Sequence, residues 1–167
     1  MDYAGVACLA DIDPRVITEL LAGHGVVLHL VPAGAPIPAS HWGAPEAGLT
    51  ARGVHARPDT PIHSVLHEAA HHICMSPSRR AALTEDGNGD AGGDVAEEDA
   101  VCYLQILLGS ELASAGFDRD RMLHDMDAWG YSFRLGSARR WFEADADEAL
   151  SWLVQQGLVS ASGRLMR

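Results

Sequence analysis

The chain has only three cysteines, Cys8, Cys74 and Cys102, and no two of them form a C-x-x-C pair. An odd number of widely spaced cysteines is not the pattern of a disulfide framework. We therefore expect reduced, mostly buried thiols in a cytoplasmic protein. The first residues also lack a basic leader followed by an apolar segment, so secretion is not expected.

Basic residues are scarce as well. Twelve Lys and Arg stand against 23 Asp and Glu, which gives a net charge of -11 at pH 7. This balance argues against nucleic acid or an anionic membrane as the main partner. No apolar run approaches the roughly 18 residues that mark a candidate membrane span. With 167 residues and 47% hydrophobic content, we expect one globular domain over residues 1–167.

The most informative stretch is His67-Glu68-Ala69-Ala70-His71. Apolar residues at helical spacing predict a helix here, with Thr60-Pro61 as its cap and first position. On a helix, His67 and His71 share one face, so both imidazoles can bind one metal ion. Glu68 then lies beside the metal, where it can take a proton from metal-activated water. The H-E-x-x-H pattern is typical of zinc peptidases. The chain has nine histidines, so a buried helix whose histidines only bond their neighbours is the alternative.

A second helix is predicted over residues 94–108, with Asp94 as its cap and an apolar stripe along one face. Glu97 lies one turn before Val101, near the buried edge of this stripe, whereas Glu98 is offset by about 100°. A buried carboxylate needs a cation, and a metal ion can supply it. Glu97 is therefore the first choice as third metal ligand, and Glu98 is the reserve. The other carboxylate is expected to accept a histidine proton.

Shorter patterns complete the secondary structure. Strands are predicted over residues 26–31 and 49–57, and further helices over residues 15–22, 118–129, 137–142 and 145–156. Together these elements indicate an α+β fold with a small sheet and a helical C-terminal part.

The acidic loop before the second helix offers a different metal site. Asp86, Asn88, Asp90 and Glu97 fall at positions 1, 3, 5 and 12 of an EF-hand calcium loop. The sixth position, where this loop requires glycine, is Ala91. A solvated acidic loop is the alternative.

An H-E-x-x-H helix followed about 26 residues later by a Glu-led helix resembles the glutamate-zincin arrangement. The letters EEDAVCYLQILL over residues 97–108 are similar to the E-x-x-A-N-x-F-A-x-x-L-L helix of the ImmA/IrrE metallopeptidase family, with Val101 in place of the asparagine. The likeness spans residues 49–109. It implies a zincin-like fold, in which the sheet packs on the two helices. It also implies Zn2+ bound by His67, His71 and Glu97, and Glu68 as general base.

The activity expected from these features is zinc-dependent hydrolysis of a peptide bond in a protein or peptide substrate. Glu68 would carry the proton from water to the leaving amine. Tyr131, Tyr103, His72 and His124 are side chains that could donate a hydrogen bond to the developing oxyanion. Two alternatives stay open: a non-catalytic binding module that keeps the metal for stability, and a metal-dependent hydrolase of small amides.

Overall fold

Helices dominate the computed structural model, which describes residues 5–84 and 93–167. Within these ranges the helices are α1 (Pro14–Ala22), α2 (Ile62–Cys74), α3 (Pro77–Ala81), α4 (Val95–Ser110), α5 (Arg119–Trp129), α6 (Ala138–Ala144) and α7 (Asp147–Gln155). The strands are β1 (Leu28–Leu30), β2 (Gly48–Thr50) and β3 (Gly53–Ala56). The predicted α+β class is therefore confirmed. The candidate calcium ligands Asp86, Asn88 and Asp90 lie outside the described residues.

The sheet is small and mixed, with strand order β1-β3-β2. β1 pairs with β3 in parallel, whereas β2 and β3 form an antiparallel hairpin. The prediction of one strand over residues 49–57 was wrong, because the chain turns at Ala51 and Arg52. Gly53 explains the turn: its φ is +131°, and a Cβ there would lie 2.3 Å from the Val27 carbonyl oxygen. Only glycine accepts both conditions without strain.

α2 and α4 form the centre of the molecule and run antiparallel. Residues 100–109 of α4 are all buried, and α2 contacts the sheet as well as α4. The predicted cap of α4 is confirmed, because the Asp94 carboxylate accepts a hydrogen bond from the Glu97 amide. The predicted start of α2 is shifted by one residue. Pro61 occupies the N-cap position, and the Thr60 hydroxyl accepts a hydrogen bond from the Arg57 amide instead.

A buried carboxylate ties the N-terminal segment to α5. The Asp125 side chain is fully buried and accepts hydrogen bonds from the Ala7 amide at 2.9 Å and from Arg121 Nε at 2.8 Å. The same N-terminal segment supports α2, because the Ala7 carbonyl accepts a hydrogen bond from the Ile62 amide. Asp125 therefore helps to hold the beginning of α2, the helix that carries the candidate metal ligands His67 and His71.

No helix among residues 5–84 and 93–167 combines the length and apolar content that a bilayer crossing requires. The cytoplasmic location stays a prediction.

We expect Asp125→Ala to lower the free energy of unfolding by about 3 kcal/mol, because it removes the acceptor of the buried Ala7 amide and one of the two acceptors of the Arg121 guanidinium. The matched control is Asp120→Ala on the same helix. Its exposed carboxylate pairs with Arg139 at 2.7 Å, and losing such a pair costs at most about 1 kcal/mol. Urea unfolding followed by circular dichroism measures both. Equal losses in the two variants would contradict the anchoring role.

Candidate metal centre

Two pairs of side chains meet between α2 and α4. Each pair is spaced four residues apart on its helix: His67 and His71 on α2, Glu98 and Cys102 on α4. His67 Nε2 lies 3.1 Å from His71 Nε2. Glu98 Oε1 lies 3.4 Å from His67 Nε2, and Glu98 Oε2 lies 3.5 Å from His71 Nε2. The two imidazoles and one carboxylate therefore converge on a single point.

These separations can be compared with those of known zinc ligands. Nitrogen and oxygen donors bind zinc at about 2.0–2.2 Å, so tetrahedral neighbours lie about 3.3–3.6 Å apart. The distances of 3.1, 3.4 and 3.5 Å in the structure are close to these values. The donors present thus fit a divalent ion with no rearrangement of the helices.

Glu97, which the sequence suggested as the third metal ligand, does not face the two histidines. Its carboxylate faces α3, where Arg79 Nη1 lies 2.9 Å from Oε1 and 2.8 Å from Oε2. The argument that Glu97 is buried and needs a cation holds, since its exposure is 8%. The cation is Arg79. The structure brings the reserve residue, Glu98, to the histidines instead.

Gln105 orients the ring of His67. It is fully buried one turn beyond Cys102, and its Oε1 lies 2.9 Å from His67 Nδ1. The orientation of the amide is fixed, because Gln105 Nε2 donates to the His63 carbonyl at 2.9 Å. The oxygen therefore faces His67, Nδ1 carries the proton, and Nε2 presents its lone pair to Glu98 and His71. The carboxylate expected in this supporting role is replaced by an amide.

Tyr131 lies beside Gln105 and His67. Its hydroxyl accepts a hydrogen bond from Gln105 Nε2 at 3.2 Å and lies 3.2 Å from His63 Nδ1. Its ring centre is 5.9 Å from that of His67. Burial raises the pKa of Tyr131 to about 12, so the hydroxyl keeps its proton. Of the four candidate oxyanion donors, Tyr131 is the one beside His67.

The other three candidates point elsewhere. Tyr103 stacks on Phe142 with ring centres 4.6 Å apart. His124 is a partner of Asp125 on α5. His72 lies near Arg80, which together with burial lowers its pKa.

The electrostatics of the site favour positive charge. Burial alone lowers the pKa of His67, but the Glu98 carboxylate, 3.4 Å from Nε2, acts in the opposite direction, and the pKa lies well above its usual value. The hydrogen bond with His67 lowers the pKa of Glu98, although burial opposes this. A metal ion at this position would therefore compete with a proton for His67 Nε2.

Glu68 is partly buried next to this cluster. Burial raises its pKa to about 7, and the nearby carboxylates of Glu46 and Glu98 add to the effect, whereas His67 opposes it. A carboxyl group with such a pKa can both accept and return a proton near neutral pH. The sequence prediction placed Glu68 in this role from its position alone.

The chain has no significant match among protein-family models, curated proteins or solved structures. The site is therefore interpreted from its own geometry.

Two residues of the site were missed from sequence, Gln105 and Cys102. A signal for both was present. Gln105 carries the amide side chain in the stretch 100–109, which is otherwise mostly apolar and follows the acidic start of α4, and a buried amide requires hydrogen-bond partners. Cys102 and Gln105 lie four and seven residues after Glu98, which places all three on one helix face. Had Glu98 been taken as the third ligand, its helix face would have indicated Cys102 and Gln105 as neighbours of the site.

We expect acid to destabilise the metal-free protein through His63. Burial lowers the pKa of this ring to about 3, against about 6.5 in an unfolded chain. Between these values the unfolded chain holds a proton that the folded protein does not, so the free energy of unfolding falls as the pH is lowered. From about pH 6.5 to about pH 4.5 the contribution of His63 is a loss of about 2–3 kcal/mol.

Other site groups also titrate, so the measurement compares variants. Urea unfolding in the presence of EDTA is followed over this pH range for wild type, His63→Gln and the exposed control His41→Gln. His63→Gln is expected to lose less stability than wild type as the pH falls, and His41→Gln should follow wild type. Parallel profiles for wild type and His63→Gln would contradict this assignment.

Proposed function

We propose that this protein is a zinc-dependent peptidase with a zincin-like site, in which His67, His71 and Glu98 bind the metal and Glu68 is the general base. The observation that carries the proposal is the convergence of two imidazoles and one carboxylate at 3.1–3.5 Å. The resemblance to the ImmA/IrrE metallopeptidases implied His67, His71 and Glu97 as ligands, and the proposed set keeps the two histidines but has Glu98 in place of Glu97. The proposed substrate is an unfolded protein or a peptide.

A zinc ion held by His67, His71 and Glu98 would act as a Lewis acid toward the scissile carbonyl and would make water more acidic. The protein's own groups do the rest. Glu68 takes the proton of the attacking water on its carboxylate and returns it to the leaving amine. Gln105 holds His67 in the tautomer that leaves Nε2 available to the metal. Tyr131, whose ring centre lies 5.9 Å from that of His67, is the proposed hydrogen-bond donor to the negative charge on the carbonyl oxygen, and its hydroxyl would turn from His63 to reach it.

The ligand assignment is tested by metal content after exposure to a weak chelator. Wild type is expected to retain one zinc per chain, whereas His71→Ala and Glu98→Gln lose it because each removes one of three donors. Glu97→Gln is the matched control on the adjacent residue. It breaks the pair with Arg79 and is expected to keep the metal. Zinc retained in Glu98→Gln but lost in Glu97→Gln would reverse the assignment.

The catalytic role is tested with Glu68→Gln. Loss of a general base slows hydrolysis by about 10²- to 10⁴-fold. We expect zinc-loaded wild type to cut casein, and Glu68→Gln to retain zinc with hydrolysis reduced by that factor. Casein cleavage that survives in Glu68→Gln would exclude Glu68 as the base.

A non-catalytic, metal-stabilised binding module is the second candidate. The observation that favours it is the thiol of Cys102 beside the ligands, because zinc with four protein ligands is typical of structural sites. Zinc retained at full occupancy, a higher melting temperature on zinc addition and no casein cleavage would support this function over the peptidase.

A further inference from the structure

We propose that Cys102 is a fourth protein ligand of the metal, so that the resting site is closed by four side chains and opens only when the sulfur leaves. The inference rests on the proposed function, because it concerns the same metal. It adds a regulatory step: the thiolate occupies the position that water needs.

Cys102 lies next to the proposed metal ligands. The sulfur and one donor atom each from His67 and Glu98 all lie within 4.8 Å of one another. Cys102 is buried on a helix whose backbone is fixed by its packing against α2. The thiol therefore stays near the ligands and cannot turn out into solvent without a change in the core.

The donor residues have the same spacing on both helices. On α2 the two donors, His67 and His71, are four residues apart. On α4 the two donors, Glu98 and Cys102, have the same spacing. Residues four apart lie one above the other on a helix face. Two antiparallel helices that face each other with such pairs bring four donor residues together, with the sulfur within 4.8 Å of His67 and Glu98 and His71 within 3.5 Å of both of these residues. Four is the number of ligands that zinc prefers in closed sites.

The Cys102 sulfur is close enough to bind a metal ion held by the other ligands. Sulfur binds zinc at about 2.3 Å, which puts it about 3.5 Å from a neighbouring nitrogen or oxygen ligand. The separations of the sulfur from His67 and Glu98 are at most 4.8 Å, so the sulfur needs to move by about 1 Å toward these two ligands, which rotation about the Cα–Cβ bond can supply. On binding, the thiol loses its proton to solvent. When water replaces the sulfur, the thiolate takes a proton back, and the site returns to three protein ligands.

The other two cysteines serve as controls. Cys74 lies one turn after His71 on α2, where burial raises the pKa of its thiol to about 12. Cys8 lies in the N-terminal segment and donates a hydrogen bond from its thiol to the Val6 carbonyl. Neither is part of the cluster of His67, Glu98 and Cys102.

The test is the absorption spectrum of the cobalt-substituted protein. A Co2+ ion bound by sulfur shows a charge-transfer band in the near ultraviolet, besides the visible bands that any tetrahedral Co2+ shows. We expect both in wild type, in Cys8→Ala and in Cys74→Ala. In Cys102→Ala the charge-transfer band should vanish while the visible bands remain. Zinc affinity in this variant should fall at least about tenfold, as for the loss of a supporting group.

The outcomes separate the two proposals. Visible bands without a charge-transfer band in wild type would overturn the role of Cys102 and leave the three-ligand site intact. A protein that binds no Co2+ at all would overturn the proposed function itself. X-ray absorption of the zinc-loaded wild type needs no variant. It therefore tests whether sulfur binds the metal even if Cys102→Ala does not fold. A sulfur neighbour at about 2.3 Å from zinc is expected, and a shell of nitrogen and oxygen alone would exclude it.

Discussion

The antiparallel packing of α2 on α4 is the constraint on which the rest of the site depends. It brings side chains spaced four residues apart on each helix to the same point. Gln105 fixes the register of the two helices, because its amide group bonds the His63 backbone on one side and the His67 ring on the other. A shift of one helix along the other would break both bonds and leave a buried amide unsatisfied, which is costly.

Charge is the second organising element. Glu97 and Glu98 are neighbours in sequence, but the helix turns them to different faces, and each has its own cationic partner. Glu97 pairs with Arg79 near the start of α4. Glu98 faces His67 and His71, where a proton or a metal ion can supply the positive charge. The two carboxylates are thus compensated separately, and the charge of Glu98 remains available to a divalent ion.

Much of this arrangement could be predicted from sequence, because it depends on local patterns. The α2 helix follows from its apolar spacing, and α4 follows from its cap at Asp94. The choice between Glu97 and Glu98 could not be made in this way. It depends on Arg79, which lies 18 residues before Glu97 on a separate short helix. The hairpin of β2 and β3 was missed for a similar reason, since Gly53 is required by the close approach of Val27.

The measurement that tests the central claim most directly is anomalous diffraction at the zinc absorption edge from crystals of the zinc-loaded protein. The account predicts one strong peak between His67 Nε2, His71 Nε2 and the Glu98 carboxylate, with Glu97 still paired to Arg79. A peak on Glu97, or zinc only at surface positions, would contradict it.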